Sequence, residues 1–312
     1  MKLKSPHEKE KKSLSLVRAL TYIVISIFFI SGTSHSILKN YFKWQKKKQS
    51  DPTFHIVSIV QTGPQKEALK TVYLAELMGI SVDRPISIHY FNAEKAKKHL
   101  LGSPLIKEAE IQLVKPNILY VDYTVRQPLA WLYDYENTAV DEEGFLFPVS
   151  PFFSPKNLPE IYLGLASFGQ HSTHSDRLSG SWNVPIKEKS FFLALDLLKL
   201  LSQPGYRELF KLRRIDVSNA YAESYGSREV VLIVEDEILI QEKGREQTFV
   251  FPRILRLSSK NYSQELGNFL KLRPQLLEQD RKVVTFSEKN LALVRMPEKI
   301  IDFRIPSLAY IK

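Results

Sequence analysis

The chain has 312 residues, no cysteine, and 44 Lys+Arg against 34 Asp+Glu, a formal net charge of +10. Without cysteine there are no disulfides, no thiolate catalysis and no cysteine-based zinc sites. The charge is not a nucleic-acid footprint: residues 1–50 hold 11 basic residues and two glutamates, leaving 33 basic and 32 acidic residues for 51–312. The basicity belongs to the two sides of one apolar stretch, where it can contact anionic headgroups, and the large remainder is near neutral.

That stretch is Ala19 to Leu38, uncharged, with Lys2, Lys4, Lys9, Lys11, Lys12 and Arg18 before it and Lys39, Lys43, Lys46, Lys47 and Lys48 after it. Twenty helical residues rise about 30 Å, the thickness of a bilayer's hydrocarbon core. The alternative is a cleavable signal peptide with Gly32-Thr33-Ser34 as its cleavage site. Ile37, Leu38, Tyr41, Phe42 and Trp44 prolong the apolar and interfacial character, which favours an uncleaved anchor. The flanking charges hardly discriminate orientation; a short tail and a long following domain place the N-terminus in the cytoplasm. The reading is a bitopic membrane protein with tail 1–18, span 19–38, basic linker 39–53 and an extracytoplasmic bulk.

Past the linker the pattern predicts short strands and amphipathic helices. Phe54–Val60 reads as a strand closed by Thr62-Gly63-Pro64, and Gln65–Met78 as a helix stopped by Gly79. Asn92 caps a helix over Ala93–Leu101. Two alternating strands come next: Ala109, Ile111 and Leu113 on one face, then, after Lys115-Pro116-Asn117, Leu119, Val121, Tyr123 and Val125. Strand, helix, helix, strand, strand makes a compact module over 54–128. From 129 to 312 strands dominate: a hairpin of Ala130–Tyr135 and Thr138–Phe147, a loop-like Val149–Pro185, and a helix over Ser190–Leu201. Beyond it the pattern gives a hairpin of Glu229–Val234 and Glu237–Gln241 across Glu235-Asp236, then a strand at Thr248–Arg256 and a helix at Gln264–Leu277. Late strands fall at Lys282–Phe286, Leu291–Met296 and Ile300–Ile311. The fold class expected is α+β: one transmembrane helix, a β-α-α-β-β module, and a β-rich domain with flanking helices.

Several segments, in this order, resemble the FtsQ/DivIB family of bitopic bacterial cell-division proteins. Ile59-Val60-Gln61-Thr62-Gly63 looks like the glycine-terminated first strand of its POTRA module. Pro104-Leu105-Ile106-Lys107-Glu108-Ala109-Glu110-Ile111 is similar to its Pro-x-Val-x-x-Ala-x-Val strand. Pro116-Asn117-Ile118-Leu119-Tyr120-Val121 resembles the turn and strand after it. Val125-Arg126-Gln127-Pro128-Leu129-Ala130 is similar to the Glu-Arg-x-Pro-x-Ala exit, with Val in place of Glu. Val140-Asp141-Glu142-Glu143-Gly144-Phe145-Leu146-Phe147 resembles Val-Asp-x-x-Gly-x-x-Phe. Ile301-Asp302-Phe303-Arg304 resembles Val-Asp-Leu-Arg-Tyr, with Ile305-Pro306 where the family has its aromatic.

The resemblance implies a POTRA-like module over 54–128 and a non-enzymatic divisome scaffold in the bacterial inner membrane, localised to the septum and coupled to septal wall synthesis. Its partners would be FtsB/FtsL-like bitopic proteins and other divisome components, received on the terminal strand, here Ser307, Leu308, Ala309, Tyr310 and Ile311. The residues themselves support binding rather than catalysis. No Gly-x-Ser-x-Gly, P-loop or dinucleotide fingerprint is present, so no cofactor is called for. His171, His174 and Asp176 are the one cluster able to hold a metal or build a nucleophile–base pair, in a Ser/Gly-rich loop. Glu142/Glu143 and Glu235/Asp236 read as solvated turn carboxylates. The competing reading is a POTRA-bearing export component, which would want tandem modules or a membrane barrel.

Overall fold

Apolar side chains without a break for a turn make the first element. In the computed structural model, which describes residues 6–64, 66–81, 83–166, 180–242, 245–284 and 293–312, helix α1 runs from Pro6 to Ser50. Its stretch Leu20–Lys47 is long and apolar enough to cross a membrane, and its apolar window has no buried residue. The basic residues expected as a linker, 39–50, continue that helix without interruption. Asp51 then ends it, accepting from Thr53 N–H at 3.0 Å and starting a 3-10 turn at Pro52–Phe54.

The chain divides into two compact units. One unit holds residues 1–62, 70–99 and 110–122; the other holds 63–69, 100–109 and 123–312. The order of elements after α1 is β1 (Ser58–Gln61), α2 (Thr71–Leu77), α3 (Ala93–Leu101), β2 (Ile106–Val114) and β3 (Ile118–Val125). They build a three-stranded sheet in the order β1-β3-β2, with β1 parallel to β3. Over 54–57, expected as strand, only His55 pairs, in an isolated antiparallel bridge to Ser87, because the 3-10 turn from Pro52 to Phe54 occupies the place where the strand should start. Helix α2 likewise begins only at Thr71, well inside the expected range. Helix α3 covers the expected residues, and the Asn92 side chain accepts from Lys95 N–H at 2.9 Å. Leu119, Val121, Tyr123 and Val125 are all buried, whereas Tyr120, Asp122 and Thr124 are exposed. Tyr123 also explains Gly63: a β-carbon there would sit 2.7 Å from the tyrosine ring.

The second unit is organised by a ten-stranded sheet. Its strands are β4 (Ala130–Leu132), β5 (Thr138–Val140), β6 (Leu146–Pro148), β7 (Glu160–Tyr162), β8 (Lys211–Asp216), β9 (Val230–Glu242), β10 (Arg245–Leu257), β11 (Leu293–Arg295), β12 (Lys299–Asp302) and β13 (Tyr310–Ile311). The order is β13-β12-β10-β9-β8-β7-β4-β5-β6, with β11 beside β12 along β10. The trio β4, β7, β8 is parallel, as are β11 and β12 to β10. Helices α4 (Lys189–Leu201), α5 (Pro204–Arg207) and α6 (Tyr262–Val283) complete the unit. Ala194, Leu197 and Leu198 of α4 and Leu266, Phe269 and Leu276 of α6 share one apolar core with Ile161, Ile215, Leu232, Leu255 and Ile301 of the strands.

Five expected elements of the second unit differ in the structure. Val149–Pro185 is not all loop: β7 lies inside it, between β4 and β8, with Ile161 fully buried. A strand of three residues is too short to show a period. The hairpin across Glu235-Asp236 is one continuous strand, β9, whose partner register with β10 begins only at Glu242↔Arg245. Lys282 and Val283 close α6 rather than open a strand, and Thr285 and Phe286 lie outside the described residues. Ile300–Ile311 is two strands, interrupted by a turn at Pro306-Ser307, where Pro306 has no N–H to give. Thr138–Phe147 is likewise split, into β5 and β6, by the turn at Asp141–Phe145.

Candidate functional site

The residues that end the chain form one edge of the large sheet. Along β12 the side chains alternate: Ile301 is fully buried and Phe303 nearly so, while Asp302 points to the other face. Phe303 stacks edge-to-face on Phe269 of α6 at 6.4 Å, and Phe269 meets Phe210 in the same way at 5.8 Å. The Asp-x-Arg segment is thus fastened to the core through its apolar positions.

Its polar positions form a surface cluster. Asp302 accepts from Arg304 Nη2 at 2.8 Å and from Arg304 N–H at 3.1 Å, with Arg256 Nη1 at 3.4 Å. Arg256 also donates to Glu229 at 2.6 Å, and Arg304 reaches Gly226 O at 3.2 Å. Burial pushes the Asp302 carboxyl up, but the Arg304 hydrogen bonds and the two guanidinium charges outweigh it and hold it below the usual range. A cavity of about 410 Å³ opens beside this cluster, between Tyr225, Lys260 and Ile305.

The five residues expected to meet a partner are placed as follows. Ser307 sits in a turn with φ +63, and Leu308 N–H donates back to Ile305 O at 3.2 Å. Ala309 is coil, and Tyr310–Ile311 make β13, antiparallel to β12 with Tyr310 opposite Asp302. Lys312 exchanges both backbone hydrogen bonds with Ile300, at 2.9 and 3.0 Å. In an antiparallel pair the preceding residue then turns its N–H and C=O away from the partner, so those of Ile311 face outward. Leu308 and Tyr310 are largely exposed, at 64% and 65%.

His171, His174 and Asp176 lie outside the described residues. Among the described residues no group of three or more His, Asp or Glu is placed to hold a metal ion. Glu142 and Glu143 do sit at a turn, closed by Asp141, which accepts from Glu143 and Phe145 N–H groups at 3.0 and 2.8 Å. Arg126 ties that turn to the exit of β3, donating to Asp141 at 2.8 Å with its guanidinium 3.8 Å above the Phe145 ring. Gly144 is required there: its φ is +87, and a β-carbon would fall 2.7 Å from Ile186 O.

Glu235 and Asp236, expected in a solvated turn, are instead buried in mid-strand, 1% and 0% exposed. Asp236 accepts from Arg253 of β10 and, at 2.7 Å, from Arg273 of α6. Arg253, itself fully buried, donates onward to Asp280 of α6 at 2.7 Å, and Lys299 of β12 also reaches Asp280. On the other face Arg213 donates to Glu235, whose second oxygen lies 3.0 Å from Arg295 but outside hydrogen-bonding geometry. Arginines scattered from Arg213 to Arg295 could not be assigned to this acidic pair by spacing.

At the carboxyl end of β4, Asp134 accepts from the N–H groups of Leu163 and Leu165, and the Tyr135 hydroxyl donates to Ala166 O at 2.6 Å while accepting from Gly180 N–H at 2.7 Å. Burial raises the Asp134 carboxyl above its usual range, and burial with the nearby Asp134 charge raises Glu188. Stability from a raised carboxyl is fully present below its ordinary value, 4.5 for Glu188, and is lost as the pH climbs through the folded value. Glu188→Gln is therefore expected to raise the unfolding temperature at neutral pH and to lose that advantage in acid. Thermal unfolding of both proteins across that range checks it; an advantage that persists in acid contradicts it.

No protein-family model matches the chain, and no curated protein matches it.

Proposed function

We propose that this chain is a membrane-anchored, non-enzymatic binding protein of the FtsQ/DivIB type, with its tail in the cytoplasm and a POTRA-like module followed by a β-rich domain outside. In this reading it is a divisome scaffold at the septum, coupling small FtsB/FtsL-like bitopic partners to wall synthesis. The observation that carries it is the outer edge of β13: outward backbone groups at Ile311, flanked by exposed Leu308 and Tyr310. A partner strand added there would gain main-chain hydrogen bonds, with side-chain pockets supplying specificity. The order of elements from β1 to β3 and the order of the matched segments support the family reading.

The test is recovery of small bitopic division proteins from membranes by the full chain, by a chain ending at Arg304, and by Ile311→Pro. The full chain is expected to recover them, and both variants to lose them, while near-ultraviolet circular dichroism reports an unchanged fold. Recovery by all three would move the interface away from β13. Recovery by none, including the full chain, would sink the division reading.

A further inference from the structure

The helix that carries the apolar run does not stop at the membrane surface, and its extension past Leu38 has two unlike sides. Between Glu10 and Asp51 there is no acidic residue, and Lys39, Lys43, Lys46 and Lys47 come directly after the apolar run. At about 100° per residue these four lysines share an arc of about 100° on the helix. Gln45 lies about 150° round from the middle of that arc. It is also the one half-buried residue between 20 and 47. The reason is Tyr90, whose hydroxyl donates to Gln45 O at 3.0 Å and lies 3.2 Å from its side-chain oxygen. The folded residues around Tyr90 therefore occupy one side of α1, and the lysines occupy the other.

The lysine side has the chemistry of a headgroup site. All four lysines are exposed, and Trp44, 54% exposed, borders the stripe. A recess of about 460 Å³ runs along Asn40, Lys43, Trp44, Lys46 and Lys47. Helical side chains lean toward the N-terminus, here back toward the bilayer, and a lysine stem can cover several ångströms to put its ammonium among phosphates. Tryptophan prefers the same layer. We propose that this stripe is a binding site for anionic phospholipid headgroups, and that headgroup contact fixes how α1 is turned about its own axis. The inference rests on α1 spanning the membrane.

The test uses the full chain reconstituted in phosphatidylcholine vesicles doped with phosphatidylglycerol. Insertion is read by resistance to alkaline carbonate, and headgroup preference by spin-labelled phosphatidylglycerol against spin-labelled phosphatidylcholine at the protein boundary. An inserted chain is expected to prefer the anionic lipid by about fivefold for each lysine engaged. The preference should shrink in high salt, as screening shortens the reach of surface charge. The variant K39Q/K43Q/K46Q/K47Q is expected to stay inserted and lose the larger part of the preference, whereas K9Q/K11Q/K12Q keeps the larger part. An inserted wild-type chain with no preference overturns the site alone. So does a preference reduced no more by the four-lysine variant than by the N-terminal one. A chain extracted by carbonate overturns the anchor, and the headgroup site with it.

Discussion

Replacing Arg253 with methionine is expected to destabilise the large sheet by about 3–5 kcal/mol, the usual cost of removing one partner of a buried ion pair. Arg253 has no exposed surface, and its two hydrogen-bonded partners, Asp236 and Asp280, are themselves almost fully buried. Methionine fills much of the same volume, so packing changes little and the loss reports the stranded carboxylates. Arg273 still reaches Asp236 and Lys299 still reaches Asp280, which keeps the loss within that range rather than above it. Hydrogen exchange on the full chain in detergent would read the effect as lost protection in β9 and β10. A companion variant that also replaces Asp236, Asp280 and Arg273 with apolar residues should recover much of the loss, because the buried ionic group is then exchanged as a whole and the half-exposed Lys299 can turn to solvent. If Arg253→Met left β9 and β10 as protected as before, the network would be ornamental.

Phe269→Ala is the second large effect expected, again about 3–5 kcal/mol, from a lost aromatic side chain and the cavity left behind. The ring is fully buried and stacks edge-to-face on both Phe210 and Phe303. Its removal takes away the surface on which Phe303 rests, and Phe303 is what fastens the Asp302–Arg304 segment inward. The loss should therefore be uneven: amides of β12 and β13 are expected to open more than those of β4 to β6. Uniform loosening of the whole sheet would argue that Phe269 acts as ordinary core and has no special hold on the terminal edge.

Local signals carried much of this fold in the sequence. Asn92 and the run after it predict α3 residue for residue, and the alternation of Leu119, Val121, Tyr123 and Val125 predicts the buried face of β3. Both depend on neighbours within a few positions. The features that stayed hidden depend on distant ones. Glu235-Asp236 looks like a turn because an acidic pair inside a strand is normally too costly to bury; its arginines come from β8, β10, α6 and β11, and only the folded sheet brings them together. Strand β7 is three residues long and owes its place to β4 and β8 on either side. At the candidate edge, the Asp302–Arg304 pairing joins near neighbours. The exposure of Tyr310 has no signature in the sequence, because a leucine–tyrosine strand suits a core as well as an interface.

One phenolic oxygen, that of Tyr135, holds both Ala166 and Gly180, so these two points on the chain lie beside each other. The space around Gly180 is tight enough that a β-carbon would come within 2.5 Å of the tyrosine ring, which keeps that junction a glycine. Tyr135→Phe, which keeps the ring and removes only the hydroxyl, would therefore release both points at once through the loss of a single atom.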